Sequence, residues 1–135
     1  MKTITFFYQN RDSVDFSFNH MEDLIAEAKK YDIEISPLSK IGNYVKLHHG
    51  LTIPANTVIS SCSEIFSGVI LAESVTIHHN VIISKDSKIG RNSSIGSNTR
   101  VERNCNIKNT VRIGVNMLIG ANTTIESGST ISCRQ

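Results

Sequence analysis

The apolar positions of this chain follow neither a helical period of 3.6 nor the simple alternation of a long strand. An aliphatic residue recurs at every sixth position from Ile35 to Ile131, through Ile41, Leu47, Ile53, Ile59 and onward, without one slip of register. Two residues before each rung stands a small or aliphatic side chain, as at Val45, Leu51, Thr57, Ser63 and Val69. A separation of two puts both on one face of a strand, so a period of six means a short strand and a turn, repeated. Asn56, Asn80, Asn92, Asn98, Asn104, Asn116 and Asn122 all fall three after a rung. Asparagine tolerates the left-handed backbone region, so its recurrence at one phase marks a recurring tight corner. Gly42, Gly90, Gly96, Gly114 and Gly120 follow their rungs directly, where a side chain is expected to crowd the bend. Such a chain closes as a solenoid whose coils stack about 4.8 Å apart. A sandwich of short strands would not keep this phase.

Residues 1–34 lie outside the repeat. The stretches "TITFFY" and "VDFSF" read as two strands joined by a turn at "QNRDS", which predicts a hairpin. Asn19 with Glu22 forms a capping-box pattern for a helix over about residues 20–31, with Leu24, Ile25 and Ala28 on one side. This segment is expected to act as a lid over the apolar cross-section and strand edges of the first coil. After Ile131 only "SCRQ" remains, and a neighbouring chain, such as another copy end to end, is expected to shield the last coil.

The recurring motif over about residues 35–133 resembles the hexapeptide-repeat family, the left-handed parallel β-helix of an acyltransferase-like superfamily. Left-handedness is what the resemblance implies, since the general rule for crossovers is right-handed. Three hexapeptides per coil make an 18-residue triangular turn and about five and a half coils. The organisation expected is a capping segment over 1–34 and a β-helix over 35–135. The resemblance also implies a homotrimer packed along the prism axes. An outward apolar stripe agrees with an interface: Ile82 and Leu118 are assigned to the first face with Val115 beside them.

Composition narrows the chemistry. Fourteen basic against twelve acidic residues argue against a nucleic-acid binder relying on a strong positive field. Cys62, Cys105 and Cys133 are scattered without a CxxC pattern, which indicates neither a disulfide framework nor a zinc site. The start of the chain has no signal-peptide pattern and no stretch approaches a membrane span, so a cytoplasmic protein without membrane contact is expected. Residues 18 apart align in columns, and Lys85 falls next to Arg103 at one corner. Two adjacent cations suit a phosphate of a cofactor or a partner carboxylate; the plain alternative is two solvated surface charges.

Two histidine pairs stand out, in "LHHGLTI" (residues 47–53) and "IHHNVII" (residues 77–83). Both occupy the same hexapeptide phase but fall on different faces, so within one chain they form no joint site, and no metal is expected. Many members of the family move an acetyl group from acetyl-coenzyme A to a small hydroxyl or amine acceptor such as a sugar, with a corner histidine as general base. Imidazole suits that task because it titrates near neutrality. "IHHNV" fits the family's pattern around the base, and the resemblance implies His79 in that role. The alternative, favoured by a prism with no interrupting loop, is a noncatalytic β-helical scaffold or partner-binding module that self-assembles.

Overall fold

The computed structural model describes residues 1–132. Cys133, and the end of the 35–135 span with it, lie outside the described residues. The six-residue pattern resolves into two-residue strands ending on the aliphatic rungs, save Lys46–His48, which runs one residue past Leu47, and these link into parallel sheets that follow the three columns. The first face stacks Ile41, Ile59, Ile77, Ile95, Ile113 and Ile131, each in register with the residue 18 further on. The second stacks Leu47, Ile65, Ile83, Val101 and Ile119. Together with the third they make a parallel β-solenoid of about five turns. The rungs from Ile35 to Ile125 are buried and form its core.

The corners behave as the asparagine pattern predicts. Every third residue after a rung, from Tyr44 to Gly128, has positive φ, with Asn92 and Asn98 both at 61°. Asn80 Nδ2 donates to Asn98 Oδ1 at 2.9 Å, and Asn104 Nδ2 to Asn122 Oδ1 at 2.8 Å, which ties corners of successive coils. The glycines after rungs divide. A Cβ on Gly90 or Gly96 would stand 2.4 or 2.5 Å from the backbone of the next coil, whereas Gly114 and Gly120 have ordinary space, so crowding does not explain those two.

The small inward position has a second use. Ser63, Ser87, Ser93 and Thr99 are buried, yet each hydroxyl donates to a backbone carbonyl 15 residues on and accepts from the N–H 18 residues on, as Thr99 Oγ1 does with Gly114 O (2.8 Å) and Met117 N (3.2 Å). These bonds satisfy corner groups that the strand ladder does not reach. Thr57 departs from the pattern: its Oγ1 is buried without a partner. Nearby, Pro54 follows the rung Ile53. At Ser36, Gly42 and Ser60 the residue in that place donates its N–H to the rung carbonyl of the next coil at 2.7–2.9 Å. Proline has no such donor, and the third face divides there into a pair of strands (Glu34–Ile35, Thr52–Ile53) and a four-stranded sheet beginning at Ile70–Leu71.

Strands β1 (Lys2–Phe7) and β2 (Ser13–Phe18) form the expected hairpin. β1 also pairs in parallel with the Leu47 strand, so Phe6 becomes an extra rung of the second face. Ile4 and Phe6 are fully buried, each worth roughly 1.5–3 kcal/mol. Helix α1 (Met21–Ala28) is shorter than expected and continues as a 3₁₀ turn over Lys29–Tyr31. Its N-cap is His20, with no side-chain capping bond, so the Asn19–Glu22 capping box does not form. The chain leaves through Asp32 in the left-handed region. Leu24, Ala28 and Tyr31 are buried, and Tyr31 stacks on Phe6 with centroids 4.7 Å apart.

Burial, reinforced by the 3.0 Å bond that Tyr31 Oη donates to Glu27 Oε2, pushes the Tyr31 phenol far above its ordinary range. The folded state therefore keeps this proton where the unfolded chain gives it up. The stabilisation is complete below about pH 10 and is lost as pH rises above it. Urea midpoints should fall above that pH, and Tyr31→Phe should flatten the decline. The hydroxyls give a second test: Thr99→Val should lower unfolding free energy by about 1–3 kcal/mol because it strands two partners, while Thr57→Val should leave it unchanged or raise it.

Candidate functional site

A parallel solenoid lays equivalent outward side chains directly over one another, so a flat ring at one coil meets the ring at the next at about the coil spacing. On the second face the position after the rung carries Phe7 (from β1), His48, Phe66, Ser84 and then Glu102, as the strand registers require. The first three stack. Phe7 and His48 have centroids 4.2 Å apart and planes 3° apart, and His48 and Phe66 are 4.3 Å and 19° apart. His48 Nε2 also lies 2.8 Å from Oε2 of Glu64, which precedes the rung Ile65 on the adjoining coil. This imidazole is clamped on both faces and at one nitrogen, with its side chain only 12% exposed.

Two cavities flank the stack. One of about 330 Å³ lies against the hairpin and is lined by Tyr8, Arg11, His49 and Glu64 among others. The second, about 520 Å³, is lined by Ser84, Arg100, Glu102, Arg103 and Ala121. Phe66 and Lys85 border both, so the two form one groove along this corner. Lys85 and Arg103 therefore come together as their 18-residue spacing predicts. Arg100 Nε is paired with Glu102 Oε2 at 2.7 Å. Among the described residues, neither Lys85 nor Arg103 makes an ion pair, which leaves the larger cavity with a positive lining.

His79 stands elsewhere. It follows Ile77 on the first face, is exposed, and borders a hollow of about 180 Å³ with Lys2, Lys40 and Ser60. Among the described residues its ring has no hydrogen-bond partner. Glu64 and Glu73, the carboxylates on flanking coils, are directed to His48 and, at 4.0 Å, to Arg91. His78 Nε2 reaches only Ser94 Oγ, at 3.3 Å. Within one chain the structure does not bring His79 together with Lys85 and Arg103. Among the described residues no three His, Cys, Asp or Glu side chains converge as metal ligands would, and no helix is long and apolar enough to cross a membrane.

The apolar stripe is also rearranged. Ile82 and Leu118 belong to the second face, not the first, with Arg100 between them in the column. Leu118 and Val115 are exposed, but they do not form a continuous strip with Ile82. The ring stack escaped the sequence reading because Phe7 lies outside the repeat. The 18-residue spacing of His48, Phe66 and Ser84 was a signal that the column two residues after each rung does not contain.

Residues 68–103 match the family model described as "Bacterial transferase hexapeptide (six repeats)". No curated protein matches the chain. Among solved structures, serine acetyltransferase isoform 3 from Entamoeba histolytica, in complex with cysteine, aligns at 21% identity over 84% of this chain and 39% of that one, with a TM-score of 0.42. The acetyltransferase domain of PglB from Neisseria gonorrhoeae, in complex with acetyl coenzyme A, aligns at 24% identity over 76% and 52%, TM-score 0.34. GDP-perosamine N-acetyl transferase from Caulobacter crescentus, as a mutant in complex with CoA and GDP-perosamine, gives 16% identity over 76% and 50%, TM-score 0.37. This chain thus spans between 39% and 52% of the length of those three proteins. The matched residues 68–103 carry the hexapeptide repeat of that family model, and the parallel β-solenoid extends the same six-residue period on both sides of them.

The clamp on His48 makes its loss structural. His48→Ala should lower the unfolding free energy by about 2–3 kcal/mol, from two ring contacts and one hydrogen bond. His79→Ala should leave the urea midpoint where it is.

Proposed function

We propose that this hexapeptide-repeat β-helix is an acyltransferase that moves a short acyl group, acetyl in the first instance, from a coenzyme A thioester to a hydroxyl or amine of a small, sugar-like acceptor. The observation that carries the reading is the groove of about 520 Å³ in which Lys85 and Arg103 line one wall without carboxylate partners. Unpaired cations side by side repel unless an anion joins them, and the phosphates of the coenzyme are such anions. The match of residues 68–103 to the transferase hexapeptide model supports the same class.

In this proposal His79 is the general base. Its imidazole is exposed and uncommitted, whereas His48 is held at both faces and at Nε2. The acceptor's oxygen or nitrogen attacks the thioester carbon as His79 takes its proton, the carbon–sulfur bond breaks, and the coenzyme thiol leaves as the proton is returned to it. Because His79 and the Lys85–Arg103 pair occupy different corners, the reading requires an assembly. In a three-fold trimer, His79 of one subunit and the two cations of its neighbour would frame one cleft.

Release of free thiol from acetyl-coenzyme A in the presence of amine and hydroxyl acceptors tests the reaction. His79→Ala should reduce kcat by about 10²–10⁴ and leave thioester binding intact. Lys85→Ala with Arg103→Ala should raise the donor KM with little change in kcat. Absence of acetyl-coenzyme A binding at millimolar concentration, or a monomer in sedimentation at micromolar protein, would overturn the proposal.

A further inference from the structure

Strand β2 ends the second-face sheet on its N-terminal side, and among the described residues no strand pairs with its outer edge. The hydrogen bonds of β1 decide which groups that edge presents. Thr5 N donates to Val45 O at 3.0 Å and Thr3 O accepts from Tyr44 N at 2.7 Å, so both threonines turn their backbone groups toward the prism. Their cross-strand partners, Asp15 and Ser17, therefore occupy the positions of the antiparallel ladder that exchange no backbone bonds, where side chains stand close. Thr3 Oγ1 is 2.9 Å from Ser17 Oγ, and Thr5 Oγ1 donates to Asp15 Oδ1 at 2.8 Å. Ser13, opposite Phe7, has the same phase. The N–H and C=O groups of Ser13, Asp15 and Ser17 thus point away from β1, and among the described residues none of them has a partner. Val14 and Phe16 lie opposite Phe6 and Ile4, on the other side of the sheet. Phe16 is half-buried there and Val14 is 37% exposed.

Unlike the short strands of the prism, β2 runs six residues in unbroken register with β1, without the proline, lysine or bulge that commonly protects an open edge. We propose that this edge docks an extended segment of another protein, which adds as a further strand beside β2 with a lysine or arginine opposite Asp15 and apolar residues flanking it. The unpaired groups recur at every second residue, and an extended backbone is the ligand that meets all of them. A residue opposite Asp15 projects on the side of Asp15, and its neighbours project on the side of Val14 and Phe16, so charge and apolarity alternate along the partner. Its sign follows from the surroundings. Asp12 and Asp15 on the hairpin, and Glu22 and Asp23 in the first turn of α1, which packs on β2, make no ion pair among the described residues. The same charges weigh against a second copy of this chain. Two-fold pairing of the outward residues would set Asp15 directly opposite the Asp15 of the copy, and like charges so placed are destabilising. No residue of β2 lines the Lys85–Arg103 groove or the hollow beside His79, and the site does not rest on acyl transfer.

Amide hydrogen exchange of the full chain, read by NMR with and without a short amidated peptide that alternates valine and lysine, tests the site. In the free protein the amides of Ser13, Asp15 and Ser17 should exchange freely while those of Val14 and Phe16 are protected by β1. Peptide at about ten times its Kd should slow the first three about tenfold. A peptide alternating valine and glutamate should bind more weakly, and Asp15→Lys should reverse the order, each cross-strand charge pair contributing about two- to fivefold. Ser17→Pro removes an outward N–H and leaves the β1 ladder alone; it should abolish peptide binding while the Val14 and Phe16 amides stay protected. Methylation of the lysine backbone amides in one peptide and of the valine amides in another should abolish binding of one and spare the other, because only one set faces β2. The inference is overturned if no peptide slows these amides at millimolar concentration, if the glutamate peptide binds wild type as tightly as the lysine peptide, or if both methylated peptides bind like their parent. Protection of the same three amides without peptide overturns it too, and where that protection grows with protein concentration it assigns the edge to a second copy.

Discussion

The backbone ladder between successive coils is the constraint on which everything else depends. Once each strand must pair with the residue 18 positions on, the corners have to return the chain within a fixed length, and only a left-handed residue three after the rung does so. The interior is then narrow, and the aliphatic rung of each strand fills it together with the small or aliphatic residue two before it. What the ladder cannot satisfy, the inner hydroxyls do, by reaching one coil ahead to a carbonyl and an N–H at once. Apart from Thr57, these small polar residues in the core are therefore hydrogen-bonding members of the stack, and their burial is compensated by the bonds they make.

Outside the prism the same spacing turns sequence columns into physical ladders. Rings 18 residues apart are brought to stacking distance by strand pairing alone, so His48 and Phe66 need no further arrangement to meet. Cations 18 residues apart are likewise held at neighbouring levels whether or not they attract each other. The ladder thus imposes contacts that isolated side chains would avoid, and Lys85 beside Arg103 is one of them. The N-terminal hairpin adds a level to this system: by pairing with the Leu47 strand it contributes Phe6 to the inside and Phe7 to the outside.

Much of this was legible before any coordinates, for a physical reason. A six-residue phase repeated through the whole solenoid overdetermines the register, so the rungs, the asparagine corners and the three columns follow from Ile35 to Ile131 without ambiguity. The Lys85–Arg103 neighbourhood was legible by the same rule. The capping box was not, because its Asn19 and Glu22 satisfy a local pattern that the packing of α1 on the first coil overrides, moving the N-cap to His20. Ile82 and Leu118 were misplaced by one face, since a residue beside a rung belongs to that rung's sheet. The pairing of β1 with the Leu47 strand has no periodic signature, and with it the Phe7–His48–Phe66 stack and the special standing of His48 stayed hidden.

Pro54 has a consequence that reaches beyond its missing hydrogen bond. In a solenoid each coil touches only its neighbours, so stability is close to a one-dimensional sum of coil terms and coupling terms. At the level of Pro54 and Thr57 one coupling term is short of a backbone bond and a hydroxyl bond that other levels possess. A disturbance that starts at one end propagates coil by coil until it meets the weakest coupling, where cooperativity is interrupted. The third face at residues 53–75 is the weak point of the prism, bridged there by the first and second faces, whose ladders run past it unbroken.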